Sequence, residues 1–125
     1  MKIYDTLIIG SGYTSLGYAI TRKNTIIVEE REMCDTEIGL SLKRYARGGY
    51  EAKTELGREL ISRFTDLGIF ARGMQNAAAL ECGFADLAIE KGVEILLKCR
   101  VISTNRTEDG IFDSRVISGG GIEHI

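Results

Sequence analysis

The sequence has no proline, no tryptophan, one histidine and three cysteines in 125 residues. Without proline, turns fall to glycine, which fills 15 positions, well above an ordinary share of roughly 7%. Cys34, Cys82 and Cys99 are far apart, form no Cys-x-x-Cys and have only His124 for company, a pattern that excludes a disulfide framework and a zinc site of the usual spacing. They read as buried, reduced thiols. No apolar run approaches the roughly 20 residues of a membrane span, and Asp5 arrives before any signal-peptide hydrophobic stretch develops, so the expectation is a cytoplasmic protein with no membrane contact. Charge of one sign is missing too. With 16 Lys+Arg against 18 Asp+Glu the formal net charge is −2, and nothing resembles a basic nucleic-acid-binding arm. What remains, 44% hydrophobic side chains in a short chain, fits one soluble globular domain over 1–125.

The patterning is α/β. Residues 3–9 end in Leu7-Ile8-Ile9 and stop at Gly10, reading as a buried strand of a parallel sheet. Leu16, Ala19 and Ile20 fall at i, i+3 and i+4 and give a helix over about 13–22, after which 25–28 is a β-branched run. The three form a βαβ unit with its strands parallel and adjacent. Residues 30–53 carry scattered glycines and charges and read as a long loop. Thr54 caps a helix to Leu67 with a Glu59 to Arg63 ion pair and a stop at Gly68. A further helix over about 76–91 stops at Gly92, and 93–97 is a third strand. Residues 99–104 and 111–118 then form a hairpin around Glu108-Asp109-Gly110, and Gly119-Gly120-Gly121 turns the chain into a strand beginning at 122.

The chemistry lies in Gly10-Ser11-Gly12-Tyr13-Thr14-Ser15, which matches G-x-G-x-x-G except at its last position and sits between a strand and a helix. The first glycine permits the tight turn, the second lets a pyrophosphate approach the backbone, and the third position, here Ser15, sets how closely helix and strand pack. Gly17 and Ala19 keep that helix face slim. The helix start then presents amides to the phosphates. Glu29 ends the next strand, 29 minus 10 or 19 positions beyond Gly10, close to the roughly 20 at which an acid accepts hydrogen bonds from ribose hydroxyls. Glu30 is the alternative. Either acid repels a 2′-phosphate, favouring FAD or NAD over NADP.

The segment Asp5-Thr6-Leu7-Ile8-Ile9-Gly10-Ser11-Gly12, with Glu29-Glu30-Arg31, resembles the opening of FAD-dependent oxidoreductases with the glutathione-reductase-like nucleotide-binding fold. Gly92-Val93-Glu94-Ile95, Arg100-Val101 and the Asp-Gly hairpin are similar to the later part of the same fold. The resemblance implies a Rossmann-like three-layer FAD/NAD(P)-binding domain, with a parallel sheet and an antiparallel hairpin crossover. It further implies that Val101 meets the adenine through its backbone, and that the fold continues with a strand and substrate-binding parts absent from these 125 residues. On that reading the chain is the N-terminal part of a larger flavoprotein. The hairpin favours FAD, with NAD as the alternative cofactor, and the unfinished sheet suggests a homo-oligomer or a completing chain.

Several residues carry two readings. Cys34 is five positions beyond Glu29 and is either redox-active near a flavin or inert. Lys43, Arg44 and Arg47 around Tyr45 suit an anion or a solvated loop face. Tyr13 and Tyr18 either shield a cofactor or pack on the sheet. His124, beside the end, is expected to fray and is given no role. Two function classes follow: the FAD-binding portion of a flavin-dependent oxidoreductase of unknown substrate, or a non-catalytic NAD- or ADP-binding module. No catalytic residue is identified by the sequence.

Overall fold

The computed structural model describes residues 2–34 and 51–125. Strand β1 (Thr6–Ile9), helix α1 (Tyr13–Ala19) and strand β2 (Thr25–Val28) form the expected βαβ unit, with β1 and β2 parallel from Thr6 opposite Thr25 to Ile9 opposite Val28. After the segment 35–50 come helix α2 (Glu55–Asp66), a short hairpin of β3 (Phe70–Ala71) and β4 (Met74–Gln75), helix α3 (Ala77–Glu90) and strand β5 (Glu94–Leu96). β5 pairs parallel with the other side of β2, giving the order β1-β2-β5.

The pleat decides which layer each residue meets. The rung Ile8, Ile27, Ile95 faces the helices, where Ile27 packs with Leu16, Ala19, Phe64, Leu80 and Phe84. Leu7, Val28 and Leu96 point the other way, onto Cys99, Val101, Val116 and Ile125. That second face is covered by an antiparallel meander of β6 (Arg100–Arg106), β7 (Phe112–Ser118) and β8 (Gly121–His124). The result is three layers: helices, parallel sheet, antiparallel sheet. A parallel sheet needs both faces covered, and here the two covers are of different kinds.

Helices α2 and α3 begin as the sequence suggests. The Thr54 hydroxyl accepts from the Gly57 amide at 3.1 Å, and the Asn76 side chain accepts from the Ala79 amide at 3.2 Å. Between the helices, Phe64 packs edge-on against Phe70 and Phe84, and Phe84 against Tyr13. Gly83 makes the approach close enough, since a Cβ there would stand 2.9 Å from Ile69 and 3.0 Å from Phe64.

Several sequence expectations are corrected. The first strand is Thr6–Ile9 rather than 3–9, and it is half-buried, because β1 has no partner on its outer side among the described residues. Arg63 pairs with Glu90 of α3 at 2.6 and 2.7 Å, and Glu59 lies 3.6 Å from Lys91; this one cross-helix fork and one ion pair replace the expected Glu59 to Arg63 pair. Cys34 and Cys99 are buried but Cys82 is exposed on α3. A Cβ on Gly17 would meet nothing within 4 Å, so close helix packing is carried by Ala19 and Leu16. The strand expected after the three glycines is β8, which pairs with β7, and Ile125 exchanges backbone hydrogen bonds with Ser114 at 2.9 Å each way. His124 is thereby held in a ladder instead of fraying, with its Nδ1 3.0 Å from the Asp113 carboxylate. The β3-β4 hairpin carried no sequence signal stronger than Arg72-Gly73, its turn. The residues Lys43, Arg44, Tyr45 and Arg47 lie outside the described residues.

Candidate nucleotide-binding site

The two strand ends that bear the motif residues lie side by side. Gly10 turns the chain out of β1 with φ of +87°, a conformation that favours glycine, and its amide donates to the Val28 carbonyl at 2.9 Å. That bond keeps the turn against the end of β2. Gly12, at φ −63° and ψ 170°, is the N-cap of α1. Any residue can adopt those angles, so the backbone conformation does not itself require glycine at position 12. Unlike Thr54 and Asn76 it has no capping side chain.

Glu29 follows β2 directly and is buried. Its Oε2 accepts from the Ser11 amide at 2.8 Å and from the Ser11 hydroxyl at 2.7 Å, and its Oε1 accepts from the Arg31 amide at 2.9 Å. Its own backbone is fixed by the Leu96 carbonyl at 2.8 Å and the Cys99 amide at 3.0 Å. Burial pushes the carboxyl up, but the Arg31 amide and the Ser11 hydroxyl and amide outweigh it, leaving Glu29 below the ordinary carboxylate range. The acid is charged at neutral pH and fixed in place. Glu30 is different: exposed, it is gripped by the Arg100 guanidinium through two bonds of 2.9 Å.

These groups border a cleft of about 420 Å³ lined by Gly10, Ser11, Gly12, Thr14, Ser15, Glu29, Glu30 and Arg31, with Ile9 at its edge. The structure therefore brings together seven of the nine residues singled out from the sequence. Tyr13 and Val101 are not among them. The Tyr13 ring turns to Phe84, with centroids 4.7 Å apart, and Tyr18 is exposed under Arg22. Val101 packs between the two sheets, opposite Val116. Two features of the cleft went unread in the sequence: the bonds from Ser11 to Glu29, and the fork from Arg100 to Glu30. Neither has a local signal, since the partners are 18 and 70 positions apart.

A larger groove of about 880 Å³ runs along the unpaired edge of β1, between Ile3, Leu7 and Ile9 on one side and Ile111, Phe112 and Ile125 on the other. Its exposed surface is more apolar than that of the cleft, although Lys2, Asp5, Asp109, Asp113 and His124 also border it. Among the described residues no group of His, Cys, Asp and Glu could hold a metal ion, and no helix is long and apolar enough to cross a membrane.

The sequence matches no protein-family model and no curated protein. The fold does match solved structures. It superposes on CabE, an aromatic hydroxylase from angucycline biosynthesis, with a TM-score of 0.69 at 14% identity, covering 98% of this chain and 29% of that one. With the OxyS anhydrotetracycline hydroxylase from Streptomyces rimosus the TM-score is 0.68 at 21% identity, covering 97% and 29%. With aklavinone-11 hydroxylase, solved with FAD and aklavinone, it is 0.59 at 13% identity, covering 100% and 32%. This chain thus has the mixed α/β fold found in FAD-dependent oxidoreductases, and spans about a third of the length of these structures.

Proposed function

We propose that the chain is the FAD-binding portion of a flavin-dependent oxidoreductase, held at 1–125 as one domain. The observation that carries the reading is Glu29, a buried, charged carboxylate fixed beside a glycine turn, where an adenosine ribose would lie if its pyrophosphate rested on the backbone at Gly12. Thr14 and Ser15 border the same cleft and add hydroxyls within reach of the phosphates. The charged Glu29 at the cleft disfavours a 2′-phosphate and so NADP, while the charge of Glu30 is compensated by Arg100. FAD is supported over NAD by the three-layer fold and by the FAD-bound structure that shares it. When bound, the isoalloxazine would supply the redox chemistry, while this chain's residues bind and orient the nucleotide half. The residues proposed to contact the cofactor are Gly10, Ser11, Gly12, Thr14, Ser15 and Glu29, with the backbones of Tyr13 and Val101; Glu30 shapes the rim through Arg100.

The apolar groove along β1 supports a further strand or a second copy covering that edge, in keeping with matched structures about three times as long as this chain. The reading assigns the protein to the cytoplasm, where thiols such as the exposed Cys82 stay reduced. A Gly12→Val variant tests the proposal. It should remain folded by circular dichroism yet fail to quench FAD fluorescence, and undiminished quenching would overturn the assignment.

A further inference from the structure

The hydrogen-bond count at Glu29 limits what the acid can hold. A carboxylate offers about four acceptor positions. Three are already taken inside the protein: the Ser11 amide and hydroxyl on Oε2, and the Arg31 amide on Oε1. Among the described residues one position is left, while a ribose presents two adjacent hydroxyls. The two amides are fixed by the turn and by the chain after β2. The Ser11 hydroxyl is the exception, because it turns about a single bond.

We propose that Ser11 is a specificity-determining residue whose hydroxyl competes with the ribose for Glu29, so that the site grips one ribose hydroxyl and leaves the other without a charged partner. The hydroxyl has a reason to be there. It keeps a buried carboxylate satisfied and oriented before any ligand arrives. The consequence is a site that distinguishes ribose from a deoxyribose at one hydroxyl position only.

This inference rests on the nucleotide reading, and its test separates the two. ADP, 2′-deoxy-ADP and 3′-deoxy-ADP are titrated calorimetrically into the wild-type chain, Ser11→Ala, Ser11→Gly and Glu29→Ala, with a thermal melt of each variant. In the wild type one deoxy analogue should bind roughly tenfold more weakly than ADP, the loss of one hydrogen bond to a charged group, and the other within about twofold. In Ser11→Ala and Ser11→Gly both analogues should be weakened roughly tenfold relative to ADP, because the vacated position accepts the second hydroxyl. General structural damage would weaken all three ligands together and leave their ratios unchanged, so unchanged ratios in folded variants overturn the proposal. Equal penalties for both analogues in the wild type overturn it as well. If Glu29→Ala binds ADP as the wild type does, the nucleotide reading fails first and takes the inference with it.

Discussion

Strands β1 and β2 have four residues each and nearly the same composition, Thr-Leu-Ile-Ile against Thr-Ile-Ile-Val, yet their environments differ sharply. β2 is paired on both sides and every residue in it is buried, whereas β1 is paired on one side among the described residues and ends in an Ile9 that is 63% exposed. Composition told them to be strands; the order β1-β2-β5 decided which became the centre. The same difference organises the site. The central strand delivers Glu29 into a frame fixed by Leu96 and Cys99, and the edge strand delivers Gly10, whose turn depends on one bond back to Val28.

The largest expected effect comes from the core of the central strand. Ile27→Ala should cost about 2–5 kcal/mol, the range for truncating a fully buried aliphatic side chain, while Ile9→Ala should stay within about 0.5 kcal/mol. Urea unfolding of the two variants measures the contrast, and equal costs would break the comparison. Gly10→Ala comes next. A Cβ there meets nothing within 4 Å, so the cost is conformational, about 1–2 kcal/mol for a side chain at positive φ; thermal melts should show it even though no contact is lost.

Glu29→Gln should cost about 1–2 kcal/mol at pH 7, because it removes the charge and turns one acceptor oxygen into an NH2 that faces the Ser11 or the Arg31 amide. The pH dependence has a definite sign. The folded carboxyl titrates below its unfolded value of roughly 4.3, so its stabilisation is present above that value and disappears as pH falls through the folded pKa. Wild type and variant should therefore converge in acid, and a gap that persists there would assign the loss to packing instead. At the small end, Arg100→Ala removes an exposed pair with Glu30 and should leave the melting temperature unchanged.

The sequence was most legible where local chemistry determines structure. The cap at Thr54, the glycine turn at Gly10 and the hairpin at 107–111 each depend on residues within a few positions. It was less legible where distant partners decide. Nothing within 94–96 says that β5 pairs with β2 and not with β1, because that choice is made between strands 68 positions apart, 94 minus 26. Arg63 likewise finds Glu90 only once α2 and α3 are packed. The candidate site follows the same rule: Gly10, Gly12 and Glu29 were readable from spacing, while the hold of Ser11 on Glu29 required strand ends that pairing alone brings together.

The claim at the centre of this account is that Glu29 holds the ribose of an adenine dinucleotide. Calorimetric titration of FAD into wild type and Glu29→Ala, with circular dichroism to establish that both are folded, tests it most directly. A loss of about 1.5–3 kcal/mol, roughly 10- to 150-fold in affinity, is predicted for a hydrogen-bonded charged acceptor. Equal affinities in two folded proteins would contradict it.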